Sequence, residues 1–115
     1  MPDLQAIRDE LRRFAAERDW DQFHSPKNLA SALAVEAAEL LEPFQWLTEE
    51  QSRNLTEKQV NAVKGELADV FIYLIRLSDK LGMDLIEAAT EKIRVNAEKY
   101  PVEKSKGSSV KYTNL

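Results

Sequence analysis

Two stretches of the chain place carboxylates three residues apart in apolar surroundings. VEAAELLEPFQW, residues 35–46, carries Glu36 and Glu39, and GELADVFIYLIRL, residues 65–77, carries Glu66 and Asp69. On an α-helix, residues three apart share a face and are separated by about 4.5 Å of rise, so both members of a pair can reach one point. At about 100° per residue, Glu36 falls on the stripe of Leu29, Leu33 and Leu40, with Glu39 at its edge. Glu66 lies near Val63, Val70 and Leu77, and Asp69 flanks it beside Tyr73. Glu42, Glu49, Glu50 and Glu57 fall off these stripes or in polar stretches, where water can solvate them. A single ExxE is an ordinary spacing on a solvated helix. Two such pairs, each set in an apolar face, need another account, because unpaired buried carboxylates cost several kcal/mol each or take up protons. The basic residues within these stretches are only Lys64 and Arg76. A divalent cation would offset the repulsion directly.

An all-oxygen donor set favours Mg²⁺, with Mn²⁺ as a substitute. Zinc chemistry lacks its usual ligands, since the chain has no cysteine and His24 is its single histidine. Paired Glu-x-x-His motifs of the di-iron bundles and the EF-hand loop are both absent. Mg²⁺ keeps waters and takes phosphate oxygens from a substrate, so the acids point to a phosphorylated ligand. Trp20, Phe23, His24, Phe44 and Trp46 could stack a base beside it. Lys27, Lys92, Lys99 and Tyr100 could donate to phosphates. Taken singly, each tryptophan reads as packing and each lysine as a solvated charge. With no cysteine, and no serine beside a base in sequence, no covalent nucleophile stands out.

Four helices must position these groups. Asp3 caps the first, expected to run to about Arg18 with Leu4, Ile7, Leu11 and Phe14 as its apolar stripe. DWDQFHS follows as a loop. Ser25 before Pro26 opens the second helix, expected to reach about Trp46 unless Pro43 kinks or ends it. TEEQSRNL reads as a polar linker. Thr56 with Gln59 forms a capping box opening the third helix, which runs to about Leu81 and stops at Gly82. Asp84 with Glu87 opens the fourth, to about Lys99, and Pro101 ends it. The chain thus divides into a helical domain over residues 1–100 and a flexible, lysine-rich tail over 101–115.

With 115 residues and a formal charge of -4, the chain fits one all-α domain and argues against a binder of nucleic-acid polymers or acidic membranes. No apolar run of about 18 residues exists, and the charged N-terminus lacks a signal-peptide core, so a cytoplasmic location is expected. The third helix is apolar nearly all round from Val70 to Leu77, which predicts that a further copy of the chain covers it.

These residues together resemble the MazG-like, all-α nucleoside triphosphate pyrophosphohydrolases, and within them the dCTP pyrophosphatase branch. The ExxE…ExxD signature stands as Glu36-Ala-Ala-Glu39 and Glu66-Leu-Ala-Asp69, and RDWDQFHSPKNLA, LLEPFQW, KIRVNAEKYP and SSVKYTNL extend the likeness from about Phe14 to Leu115. The linker from Trp46 to Gln59 is shorter than in the animal proteins of that branch. The resemblance implies a four-helix MazG-like bundle assembled into a homodimer or homotetramer. It also implies Mg²⁺ dependence and cleavage of a nucleoside triphosphate to monophosphate and pyrophosphate. By the same resemblance Glu36, Glu39, Glu66 and Asp69 ligate the metal, and Glu36 or Glu39 is the candidate base. Trp20 and Trp46 hold the base of the nucleotide, Asn96 hydrogen-bonds it or its sugar, and Tyr73 lines the sugar pocket. Lys92, Lys99 and Tyr100 contact phosphates. Side-chain chemistry alone adds His24 and Lys27 as further candidate substrate contacts. The tail is expected to order over bound nucleotide.

Overall fold

The computed structural model describes residues 2–115. Among them all regular structure is helical: α1 (Leu4–Glu17), α2 (Pro26–Leu41), α3 (Glu49–Arg53), α4 (Glu57–Lys80), α5 (Leu85–Lys99) and α6 (Val102–Ser105), with 3₁₀ turns at Asp21–Phe23 and Tyr112–Asn114. The chain forms two compact units, residues 1–82 and 83–115.

Local chemistry sets most helix starts. Side chains of Asp3, Ser25, Thr56 and Asp84 each accept a hydrogen bond from a backbone N–H in the first turn of the helix that follows. At Thr56 the box is reciprocal, because Gln59 accepts from the Thr56 N–H. At Asp84 only the forward half forms.

The second helix ends at Leu41, the early stop that Pro43 allowed, rather than near Trp46. Pro43 has no N–H to give the Glu39 carbonyl, and the Glu42 N–H takes that carbonyl instead. The chain then tightens into successive three-residue turns, Phe44 to Leu41 and Leu47 to Phe44. The linker also holds a helix of its own. Thr48 and Gln51 form a reciprocal capping box that opens α3. The stretch after Pro101 contains α6 and the final 3₁₀ turn.

In the first unit α4 packs against both α2 and α1. Its core is small: Ala15 of α1, Leu29 of α2 and Ile75 of α4 are buried, together with one charged residue, Arg76. Many large apolar side chains stay exposed, including Val35 and Leu41 on α2 and Val60, Leu67 and Phe71 on α4.

In the second unit α5 carries Lys92, Asn96 and Lys99, at spacings of four and three that put them on one face. Past its end the Tyr112 ring meets the Tyr100 ring edge-on at 5.9 Å, and Lys99 Nζ lies 4.8 Å from the Tyr112 centroid.

Candidate metal and nucleotide site

Packing of α2 on α4 brings the two acid pairs together. One carboxylate oxygen each from Glu36, Glu39 and Glu66 lie within 4.8 Å of one another, all three residues half-buried. Asp69, on the same helix as Glu66, stays exposed and outside this closest trio. Its charge still reaches the site, for it helps hold the Glu36 and Glu66 carboxyls above the usual range. For Glu36 burial is the main cause, followed by the close approach and charge of Glu39 and the charges of Asp69 and Glu66. For Glu66 burial again leads, followed by Glu39, Asp69 and Glu42. Glu42, which the sequence places off the acid stripe, therefore borders the site electrostatically.

Among the described residues no cation pairs with these acids: neither Lys64 nor Arg76 forms an ion pair with any of the four. Glu36 Oε2 and Glu66 Oε2 are buried with no hydrogen-bond partner. Two orphaned anionic oxygens beside a third carboxylate fit a hard divalent cation, which accepts oxygen donors and removes the like-charge repulsion. Glu66 also borders an open cleft of about 570 Å³ lined by Glu42, Pro43, Thr56, Lys58, Gln59 and Ala62. That volume suits a small-molecule ligand. Lys58, a residue the motifs did not single out, brings a cation to its wall.

The chain leaves α1 through Asp19, whose φ of 55° is left-handed. Trp20 N–H closes onto the Ala15 carbonyl and Asp19 N–H onto that of Ala16, a Schellman turn. Its usual apolar contact is made by Trp20 against Phe14, edge-on at 5.7 Å, with Arg18 stacked 3.6 Å above the Phe14 ring. Trp20 is thus fixed yet 43 % exposed, a surface platform. Trp46 is 86 % exposed, so nothing in its own chain packs it. Tyr73 is half-buried on α4, and Lys27 is exposed in the first turn of α2.

The MazG-like family matches residues 32–115, which include both acid motifs. This chain belongs to that family. Among MazG-like relatives, dCTP pyrophosphatase 1 of Mus musculus is 46% identical over 99% of this chain and 68% of its own length. The Homo sapiens dCTP pyrophosphatase 1 is 42% identical over the same shares. A crystal structure of a pyrophosphatase from Archaeoglobus fulgidus superposes with a TM-score of 0.77 at 42% identity, covering 81% of this chain and 87% of the archaeal one. The MazG-like fold accounts for the pairing of ExxE with ExxD: each motif supplies one face of a helix, and the crossing of α2 and α4 joins the faces.

Arg76, in sequence one of only two basic residues near the acids, is turned away from them and donates to Asp21 and His24. A lone arginine between Ile75 and Leu77 in an apolar helix was the available signal.

Proposed function

We propose that the chain is a Mg²⁺-dependent nucleoside triphosphate pyrophosphohydrolase, a cytoplasmic house-cleaning enzyme. It would convert dCTP, or a related modified dNTP, to the monophosphate and pyrophosphate. The observation that carries this reading is the convergence of Glu36, Glu39 and Glu66 with two buried, unpartnered oxygens in a MazG-like chain.

Glu36, Glu39, Glu66 and Asp69 hold the cation in this reading. When bound, Mg²⁺ supplies charge neutralisation for the phosphate oxygens and for the leaving pyrophosphate. Glu36 or Glu39 takes the proton of the attacking water. Trp20 and Trp46 stack the base, and the exposure of both rings is consistent with that use. Tyr73 crowds the sugar, disfavouring a ribose 2′-OH. Asn96 hydrogen-bonds the base or sugar, and Lys27, Lys92, Lys99 and Tyr100 donate to phosphates. A homodimer or homotetramer covers the exposed apolar surface of α2 and α4.

A panel of dNTPs and NTPs with Mg²⁺, products resolved by chromatography, tests the reading. The expected result is dCMP and pyrophosphate from dCTP, abolished by chelation and restored by Mg²⁺ or Mn²⁺. Preference for dUTP, or equal use of all bases, would reassign the specificity within the same fold. Absence of hydrolysis across the panel, or release of orthophosphate, would overturn the enzyme assignment.

A further inference from the structure

His24 lies one residue before the Ser25 cap of α2 and directly after the 3₁₀ turn Asp21–Phe23. Facing it is Arg76 of α4, 4 % exposed. Arg76 Nη2 carries two N–H groups and has two acceptors: Asp21 Oδ1 at 2.8 Å and His24 Nδ1 at 3.0 Å. A guanidinium has no lone pair to offer and does not deprotonate in proteins. The His24 Nδ1 must therefore present its lone pair, which leaves the imidazole proton on Nε2. A proton on Nδ1 would set N–H against N–H at 3.0 Å beside a buried positive charge.

The surroundings reinforce this arrangement. Burial, then the charge of Arg76, and more weakly that of Lys80, hold the His24 imidazole below its usual range, against an opposing pull from Asp21. Asp21 Oδ1 also accepts from Lys80 Nζ at 3.0 Å, so the loop is tied to α4 at two points. Arg76 gains little as a packing element, because its Nε is buried without a partner. An apolar side chain of similar size would serve the core as well or better. What the arginine adds is orientation of the loop and of the ring it holds. That loop carries Trp20, whose ring lies 6.4 Å from that of His24, centroid to centroid.

We infer that Arg76 is a positioning residue that fixes His24 as the neutral, Nε2-protonated tautomer, and that His24 thereby offers the base stacked on Trp20 a donor-only contact. The inference rests on the proposed nucleotide reading and deepens it. Neutral His24 in this state can donate from Nε2 but has no free lone pair, since Nδ1 is taken. It accepts a base edge that presents a lone pair, such as a pyrimidine ring nitrogen or carbonyl, and rejects one that presents N–H there. Polar contacts of this kind discriminate more strongly than apolar ones, because a mismatch leaves buried groups unpaired.

Because His24 is the only histidine, its ring nitrogens can be observed without assignment ambiguity in a ¹⁵N–¹H long-range correlation spectrum. At neutral pH the wild-type protein without nucleotide should show Nε2 protonated and Nδ1 bare. An Nδ1–H tautomer or an imidazolium would overturn the lock. Arg76→Met should mix the tautomers and raise the His24 midpoint. Arg76→Lys, which keeps the charge, provides the second variant should the methionine protein fail to fold, and it should loosen the tautomer preference less. A non-hydrolysable dCTP analogue with Mg²⁺ should then shift the Nε2–H resonance and slow its exchange. His24→Leu should raise KM about tenfold, as expected for one lost hydrogen bond, with a smaller change in kcat, and His24→Gln, which retains a donor, should restore most of it. If the analogue binds or dCTP is turned over while the Nε2–H resonance and the KM of His24→Leu stay unchanged, the donor role falls and the nucleotide reading stands. If no nucleotide binds, that reading falls and the donor role with it, and the spectrum alone decides whether Arg76 fixes the tautomer.

Discussion

At the scale of single residues, Glu36, Glu39 and Glu66 are held together against their own repulsion, with Asp69 at the edge. Glu36 and Glu66 carry buried oxygens without partners, and both carboxyls are pushed upward, first by burial and then by acidic neighbours. Removing one acid should relieve the metal-free protein while removing a ligand. Glu39→Ala and Asp69→Ala are therefore expected to fold with unchanged or slightly raised thermal midpoints in chelator. Their Mg²⁺-dependent turnover should fall about a hundredfold or more, since loss of even an outer partner of a metal ligand costs roughly 10–100-fold. Calorimetry with and without Mg²⁺, alongside product assays, checks both halves. Unchanged turnover would sink the metal assignment, and clear destabilisation in chelator would indicate a structural role. Asp79 behaves in the opposite sense. Arg12 donates to it from Nε at 2.7 Å and also from Nη2, and this hydrogen bond is the main reason its carboxyl lies below the usual range. A lowered native pKa contributes stability that is full above the unfolded value of about 3.8 and is lost as pH falls through the native one. Asp79→Asn should thus be less stable near neutrality and show a flatter acid limb below about pH 4 in urea titrations. An acid limb as steep as wild type would show that the pair contributes nothing in solution.

At the scale of elements, α4 does two jobs along its 24 residues. Its middle carries Glu66 and Asp69, and its last turns bury Ile75 and Arg76. Thr56 anchors its start, so Thr56→Ala should cost about 1 kcal/mol, or roughly 4–8 °C in thermal midpoint for a domain of this size. Gly65, one residue before Glu66, tests what surrounds the helix. A Cβ built there meets nothing within 4 Å and its φ is ordinary. Gly65→Ala should therefore stabilise the protein by about 0.5–1 kcal/mol through helix propensity. Denaturant midpoints will decide. A loss instead of a gain would mean that a second copy of the chain approaches the helix closely at that point. Gly82, with φ of 66°, ends α4 in the left-handed region, where alanine would be strained.

At the scale of the whole molecule, the apolar surface is too generous for a lone chain. Trp46 is 86 % exposed and Leu67 52 %, and Val35, Leu41, Val60 and Phe71 are also uncovered. Contiguous apolar patches on soluble proteins usually mark interaction sites. A homo-oligomer is expected, and light scattering at micromolar concentration should give at least twice the 13.2 kDa chain mass. A monomer mass would contradict it. Leu67→Glu, which puts a charge on the exposed face of α4, should shift the assembly toward monomer. The C-terminal stretch yields a separate test. Truncation after Val102 removes Tyr112, whose ring meets Tyr100 edge-on and lies under Lys99. It should raise KM for the nucleotide while leaving the fold intact. Hydrogen exchange across residues 103–115 should slow with a non-hydrolysable dNTP. Equal, fast exchange in both states, with unchanged kinetics after truncation, would leave the tail without a part in binding.

The start of every long helix could be read from the chain because caps act over three or four residues. Asp3, Ser25–Pro26, Thr56–Gln59 and Asp84 carry that information locally. The acid pairs were legible for the same reason, as helical periodicity puts Glu36 with Glu39 and Glu66 with Asp69 on common faces. Pro43 does end α2 early, at Leu41, as its missing N–H allowed, whereas the Thr48–Gln51 box in the expected linker is as good as Thr56–Gln59. Three matters were settled only by packing. The crossing of α2 and α4 selects Glu36, Glu39 and Glu66 as the closest trio, leaving Asp69 at the edge. The left-handed turn at Asp19 aims Trp20 outward. The partners of Arg76 are 55 and 52 residues away in sequence, at Asp21 and His24. Helix propensity and caps depend on neighbours along the chain, whereas convergence of side chains depends on how the ridges of one helix seat in the grooves of another, and no local pattern encodes that registry.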